Sequence, residues 1–230
     1  MSCPIDLRNP GRPIHVGVVL LNSTTELLDI APVGFFSSIS SSFLKDFPPE
    51  MCPDEMKAQA PDFVFHWVTE TGEVPASLTG NMGVVPTDSF ITCPQLDIII
   101  LGATKITYHA SETELAFLRK AYESCYALLC VCGGFEPVLS AGLLESKTAT
   151  APRLLLPMVR EKAPGTNWVE KRYVNDGKIW TTGVLLNGLD MVVAFARSVW
   201  GDKGGLIEMA ASFGHWPQRD VDYKDYDGVF

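Results

Sequence analysis

The chain is poor in positive charge. Its 230 residues carry 18 Lys and Arg against 27 Asp and Glu, a formal net charge of −9 at pH 7. No basic stripe interrupts that balance, which argues against binding a phosphate backbone, since that needs clustered Lys and Arg. Cysteine is present but unpaired in spacing. Cys3, Cys52, Cys93, Cys125, Cys130 and Cys132 make neither a disulfide framework nor a zinc knuckle. The start of the chain lacks the charged segment and apolar stretch of a secretory leader. The longest apolar run, about Val184 to Ala196, is interrupted by Asn187 and Asp190 and cannot span a bilayer. Repeats and low-complexity segments are missing too. These absences give the expectation of a soluble, cytoplasmic protein in a reducing compartment, with no nucleic acid and no membrane among its partners.

What is there suits a packed domain. The hydrophobic fraction is 47%, enough for a substantial core. The length fits one α/β domain over 1–230, with an N-terminal arm over 1–13 and a C-terminal extension over 202–230.

The most informative stretch is ALLCVCGGFEPVLSAGLL, Ala127 to Leu144. Ala127 to Val131 is too short for a helix and right for a buried strand. Cys132, Gly133 and Gly134 follow, and then apolar residues at helical spacing: Phe135, Val138, Leu139, Gly142 and Leu143. Strand, sharp turn and helix put Cys132 at the carboxyl end of a strand, where open α/β sheets bind ligands. A cysteine at a helix N-terminus sees the positive end of the dipole, which favours the nucleophilic thiolate. Gly133 and Gly134 allow close approach to the backbone, and their N–H groups could hold a developing oxyanion. The competing reading is a buried structural cysteine, which is the preferred one for the other five. Glu136, one turn after Cys132, either faces the same site or merely stabilises the helix start.

Elsewhere the pattern alternates between strands and helices. Ile14 to Leu21 reads as a buried strand. A helix is expected from Ser23 or Thr24 to about Ser40, with Leu27, Leu28, Ile30, Ala31, Phe35 and Phe36 on its apolar face. Asp29 interrupts that face, where a charge is costly unless paired. It is either a dipole-stabilised carboxylate or an acid facing a pocket, with Glu26 as a rival. Ser41 to Pro61 is a proline-rich excursion, a candidate lid or dimer contact. Asp62 to Thr69 is a strand, and Leu78 to Phe90 a hairpin around Gly80 and Asn81. His15 and His66 read as strand histidines. Pro94 to Leu101 is a strand leading into Gly102, Ala103 and Thr104, with Tyr108 and His109 on the same loop. Ser111 and Glu114 form a capping box for a helix to about Ser124. Strands are expected over Lys147 to Thr150, Trp168 to Tyr173 and Lys178 to Thr182, and helices over Leu154 to Lys162 and Asn187 to Trp200. A short helix and an irregular tail, packed on the domain or a partner, complete the chain.

Three segments carry a resemblance. VCGGFEPVLSAGLLESKTAT (Val131 to Thr150), ELLDIAP (Glu26 to Pro32) and YVNDGKIWTTGVLLNGLDMVV (Tyr173 to Val193) resemble the ThiJ/PfpI superfamily, with its class I glutamine amidotransferase-like fold, and within it the isonitrile hydratase branch. The resemblance covers roughly Ile14 to Gly201. It implies an α/β, flavodoxin-like, doubly wound, mostly parallel sheet sandwiched by helices, with a cysteine nucleophile elbow. It implies Cys132 as nucleophile and Asp29 as its acidic partner. Gly133, Gly134, Gly102, Ala103, Thr104 and Gly183 would contact substrate or oxyanion, with Tyr108, His109, Glu136 and Arg153 as further pocket residues. No cofactor and no metal are implied. The partners would be a small-molecule substrate and a second copy, as a homodimer.

The departures matter. Gly102-Ala103-Thr104 stands where relatives have Pro-Gly-Gly, and Gly133 where the branch has a threonine. Pro152 and Arg153 occupy the place where several members carry a histidine, and none of His15, His66, His109 or His215 fills it. A Cys–His–acid triad is therefore disfavoured, and with it a peptidase or amidotransferase. Arg153 could hold an anionic substrate or lie on the surface. The expected activity is that of an isonitrile hydratase-like lyase. Alternatives are glyoxalase-type chemistry on 2-oxoaldehydes, a non-catalytic cysteine redox sensor, and a ligand-binding relative of transcription-regulator input domains without a helix-turn-helix.

Overall fold

The computed structural model describes residues 5–226 and 228; Cys3 lies outside them. A seven-stranded sheet runs through the centre. In chain order its strands are β1 (Ile14–Val19), β2 (Phe63–Thr69), β3 (Asp88–Ser89), β4 (Ile98–Leu101), β5 (Ala127–Cys130), β6 (Tyr173–Asp176) and β7 (Ile179–Thr182). Their spatial order is β6-β7-β5-β4-β1-β2-β3. Every neighbouring pair is parallel except β6 with β7, which are joined by the tight turn at Gly177. This is the mostly parallel, flavodoxin-like sheet that the sequence led us to expect.

The strands are apolar on both faces, as a sheet covered on both sides requires. Successive residues feed opposite layers. Ile98, Ile100, Leu129 and Val131 join one core with Phe35, Phe36, Phe195 and Trp200. Ile99, Leu101, Leu128 and Cys130 join the other with Leu118, Phe135, Val138 and Trp168. The helices packing these layers are α1 (Val33–Ser38), α2 (Glu112–Ser124), α3 (Phe135–Ser140), α4 (Leu156–Lys162), α5 (Asn187–Trp200) and α6 (Leu206–Phe213). The capping box of α2 is formed as read: Ser111 accepts from the Glu114 N–H and Glu114 from the Ser111 N–H. The N-terminal arm is anchored, since the buried Trp200 indole N–H donates to the Leu7 carbonyl at 2.8 Å. Among the described residues no helix is long and apolar enough to cross a membrane.

Three expectations need correction. The helix expected from Ser23 begins only at Val33. Thr24 and Thr25 instead pair with Ser77 and Leu78, and Leu27–Asp29 is a single 3₁₀ turn. Pro32, which has no N–H to give, caps the true helix. The strand expected over Trp168 to Tyr173 is two strands. Asn167–Trp168 pairs with Thr148–Ala149, and β6 starts at Tyr173. The excursion after Ser41 is not wholly irregular, because Ser41–Leu44 and Asp54–Lys57 are short helices.

His15 and His66 are more than strand filler. His15 Nδ1 lies 2.8 Å from His66 Nε2, and His66 Nδ1 lies 2.8 Å from Asp88 Oδ2. An imidazole–imidazole bond needs one bare nitrogen, so protonating both rings breaks it. Burial, then the His66 charge, lowers the His15 pKa below 6.5; Arg12 also lowers it, while Asp97 and Asp88 oppose. A histidine whose folded pKa is depressed stabilises the fold above its unfolded value. That stability drains as pH falls below about 6.5. Urea unfolding between pH 7.5 and 5.5 is expected to show this loss, with a flatter slope in His15→Gln. An unchanged slope in the variant would remove His15 from the account.

Candidate active site

Three segments meet at the carboxyl ends of β4, β5 and β7. The Val131 N–H donates to the Leu101 carbonyl at 2.9 Å, carrying the β4–β5 pairing one residue beyond β5. The chain then turns sharply. Cys132 has φ +53°, the left-handed region that an L side chain adopts at a cost of about 1–2 kcal/mol. The Gly134 N–H closes the turn on the Val131 carbonyl at 2.8 Å. Gly134 is required here, because a methyl group would overlap the Leu101 carbonyl oxygen. The Cys132 N–H donates to the Thr182 hydroxyl at 3.0 Å. Thr182, at the end of β7 and fully buried, therefore helps to hold the strained residue. Nothing in the sequence distinguished it, since the contact exists only once β5 and β7 are neighbours.

Asp29 arrives from the other side. Its side chain is completely buried. Oδ2 accepts from the Ala103 N–H at 2.7 Å. Oδ1 is the only buried side-chain nitrogen or oxygen among the described residues with no hydrogen-bond partner. The chain around Asp29 is tied to the same loop, with the Glu26 N–H donating to the Ala103 carbonyl at 3.0 Å. Gly102 makes room for the acid, since a Cβ there would lie 2.8 Å from the Asp29 Cβ. Burial lifts the carboxyl from its ordinary 3.8 to about 7, against the Ala103 N–H, and the Glu26 charge pushes the same way.

The thiol differs from the sequence expectation. Burial pushes Cys132 up to about 11, and a charge on Asp29 adds to the rise. The N–H groups of Gly133 and Leu185 face the sulfur and pull it back only in part. The following helix, Phe135–Ser140, is short, with six residues, and the dipole on which the thiolate expectation rested is outweighed by burial. The expected oxyanion donors are also redistributed. The Ala103 N–H is spent on Asp29, that of Gly134 on Val131 and that of Gly183 on the Arg172 carbonyl at 3.0 Å. Gly133 keeps its place beside the sulfur, and Leu185 joins it.

The remaining candidates form separate groups. Thr104, Tyr108, His109 and Glu136 line a small cavity of about 30 Å³ with Leu21, Pro137 and Ser140. Tyr108 is turned to a structural task there, its hydroxyl 2.6 and 2.8 Å from the two oxygens of the buried Glu114. Arg153 lines a different cavity, and its guanidinium is already matched by Glu170 and the Gly228 carbonyl, each at 2.8 Å. It is not a free cation awaiting an anionic substrate. Gly183 lies against Tyr223 and Asn187 rather than against Cys132. Among the described residues no group of three His, Cys, Asp or Glu could hold a metal ion.

Comparison with known proteins gives this geometry relatives. Residues 59–200 match the model of the DJ-1/PfpI family. The chain is 30% identical to an isonitrile hydratase of Pseudomonas putida over 179 residues, 75% of this chain and 76% of that protein. Among solved structures it resembles a ThiJ/PfpI family protein from Pseudomonas syringae (TM-score 0.69, 18% identity, 95% of this chain and 78% of that one). It also resembles an AraC family transcriptional regulator from Pseudomonas putida (TM-score 0.64, 14% identity, 87% of this chain and 99% of that one).

A buried acid with a raised pKa makes a thermodynamic prediction. Asp29 favours the folded state in its neutral form, so its contribution is fully present below about pH 4 and is lost as pH rises through about 7. A shift from 3.8 to about 7 corresponds to a cost of up to about 4 kcal/mol at pH 8. Asp29→Asn keeps an acceptor for the Ala103 N–H and is expected to be more stable than wild type at pH 8. The advantage should vanish near pH 4. Denaturant titrations at the two pH values check it, and a variant less stable at pH 8 would contradict the buried, neutral carboxyl.

Proposed function

Since the chain belongs to the DJ-1/PfpI family, we propose that it is a cofactor-independent hydratase in which Asp29 moves a proton while the Cys132 thiol adds to a carbon. The observation that carries this reading is a fully buried carboxyl with one unpartnered oxygen, whose charge bears on the Cys132 thiol. At pH 7 a thiol near 11 is ionised in roughly one molecule in 10⁴, so the resting nucleophile is the neutral thiol. A carboxyl near 7 is available in both forms, as a general acid–base at neutral pH needs. Its unpartnered Oδ1 leaves an oxygen free for that exchange.

An isonitrile, R–N≡C, fits such a pair, and the 30% identity to an isonitrile hydratase supports that choice. Neutral Asp29 donates its proton to the terminal carbon, which becomes electrophilic. The Cys132 sulfur bonds to that carbon, and the thiol proton passes to the Asp29 carboxylate, restoring the acid. The product is a thioimidate, R–N=CH–S–Cys132. Water then adds across the C=N bond, hydroxyl to carbon and proton to nitrogen. The C–S bond breaks, the hydroxyl proton returns to sulfur, and an N-substituted formamide, R–NH–CHO, leaves. The N–H groups of Gly133 and Leu185, which face the sulfur, stand beside the carbon where charge develops. The raised thiol pKa speaks against the redox-sensor alternative, because oxidation follows thiolate character.

The test is formation of the formamide from a panel of alkyl and aryl isonitriles, followed by mass spectrometry. Wild type is expected to turn over and Cys132→Ala to show none. Asp29→Asn should lose at least about 100-fold in kcat/KM. In wild type kcat/KM should decline as pH rises through about 7, where Asp29 loses its proton, and this limb should be absent from the residual activity of Asp29→Asn. Full turnover by Cys132→Ala would end the proposal.

A further inference from the structure

A second feature shares Leu185 with the site. A cavity of about 620 Å³ opens beside the loop from Val184 to Asn187, within the size range of small-molecule sites. Its apolar wall is Leu154, Leu155, Val184, Leu185, Leu186 and Tyr226. Four of these are large and open to solvent: Leu154 is 73% exposed, Tyr226 48%, Val184 46% and Leu186 45%. Apolar surface gathered on one concavity marks a binding site more often than surface scattered singly.

The charged residues around this cavity are all spoken for. Arg153 is held by Glu170. Arg172, 3% exposed, donates to Asp225 at 2.7 Å and to the Asp220 carbonyl at 2.9 Å. Arg219 is paired with the buried Asp190 at 2.6 Å. Tyr223 lies between two of these cations, its ring 5.3 Å from the Arg153 guanidinium carbon and 4.6 Å from that of Arg172. Its hydroxyl reaches Asn187 Oδ1 at 3.0 Å, the same oxygen that accepts from the Val184 N–H at 2.9 Å. Each guanidinium is thus neutralised by a carboxylate of this chain. Arg219, Tyr223 and Tyr226, which the tail contributes, complete the wall.

Leu185 joins this cavity to the reactive sulfur. It lines the cavity, and its N–H faces the Cys132 thiol. Cys132 itself is not part of the lining.

We propose that this cavity binds the uncharged, apolar body of the substrate, with the reacting end passing Leu185 to reach Cys132, and that the tail from Arg219 to Tyr226 is its specificity wall. The word substrate rests on the hydratase reading; the binding of a neutral apolar molecule does not. A charged metabolite finds no unpaired counter-charge here, whereas an alkyl or aryl group finds leucine, valine and tyrosine side chains.

Two dyes with the same skeleton test it. N-phenyl-1-naphthylamine is neutral, and 8-anilino-1-naphthalenesulfonate is its sulfonated analogue. The full-length protein is expected to bind the neutral dye saturably, at least ten-fold more tightly than the sulfonate. Leu154→Asp places a charge at an exposed position on the rim, where folding is insensitive to it. It should weaken the neutral dye at least ten-fold with Tm unchanged. Tyr223→Ala should also weaken the neutral dye, whatever its effect on Tm, and Tyr223→Phe, which keeps the ring, should not. The saturating neutral dye should also slow alkylation of Cys132 by N-ethylmaleimide in wild type but not in Leu154→Asp, read by site-specific mass spectrometry. Equal affinity for both dyes, indifference to Leu154→Asp, or unprotected alkylation would overturn the proposal. So would dye binding that disappears as the protein self-associates, because a second copy would then be the occupant. Turnover by Cys132→Ala would instead defeat the hydratase reading and leave the dye results standing.

Discussion

A carboxyl group taken wholly out of water, with one N–H to hold it, is the constraint on which the site depends. Removing Asp29 from solvent is expensive for the charged form. The fold answers by bringing the Ala103 N–H to one oxygen and leaving the other unsatisfied. To do so it must bring the segment after β1 against the loop after β4, which explains the Glu26–Ala103 link and the absence of a side chain at Gly102. The loop has no second N–H in the right place, so the acid remains near neutrality in pKa. Unspent hydrogen-bonding capacity in a buried group is rare in folded proteins.

The cysteine obeys the same logic from the other side. Its backbone is held in a region that costs energy, and three close approaches hold it there. Gly134 lies under the Leu101 carbonyl, the Thr182 hydroxyl takes the Cys132 N–H, and Gly188 brings α5 against Val131, where a methyl group would come 2.7 Å from the Val131 side chain. Small residues and one hydroxyl thus fix a strained position between rigid strands, which keeps the cysteine in one geometry without a loop to carry it.

Much of this was legible in the residues. The buried strands, the capping box at Ser111 and the limits of α5 follow from periodicity and capping chemistry, which are local. The cysteine turn was legible because strand, glycines and helix are contiguous. The segment around Asp29 was misjudged because a helical pattern competes with pairing to Ser77 and Leu78, residues distant in sequence. The ionisation of Cys132 was misjudged for a related reason. A dipole can be guessed from sequence, but the desolvation that outweighs it depends on how the assembled strand ends bury the sulfur. The roles of Ala103, Thr182 and Leu185 rest on backbone N–H groups and one hydroxyl, and every residue but proline offers an N–H. Only the assembled strand ends reveal which of them are spent.

The antiparallel pairing of β6 with β7 has a kinetic consequence. It is the one pairing in the main sheet whose strands are joined by a tight turn. Closing that short loop costs little chain entropy, whereas each parallel pairing requires a long crossover to be ordered first. The hairpin is therefore the cheapest part of the sheet to assemble, and it carries Thr182 at its end. β5 must travel from a distant part of the chain to dock beside it. The turn at Cys132 acquires its hydroxyl contact only at that docking, so the geometry of that residue depends on two parts of the chain that are far apart in sequence.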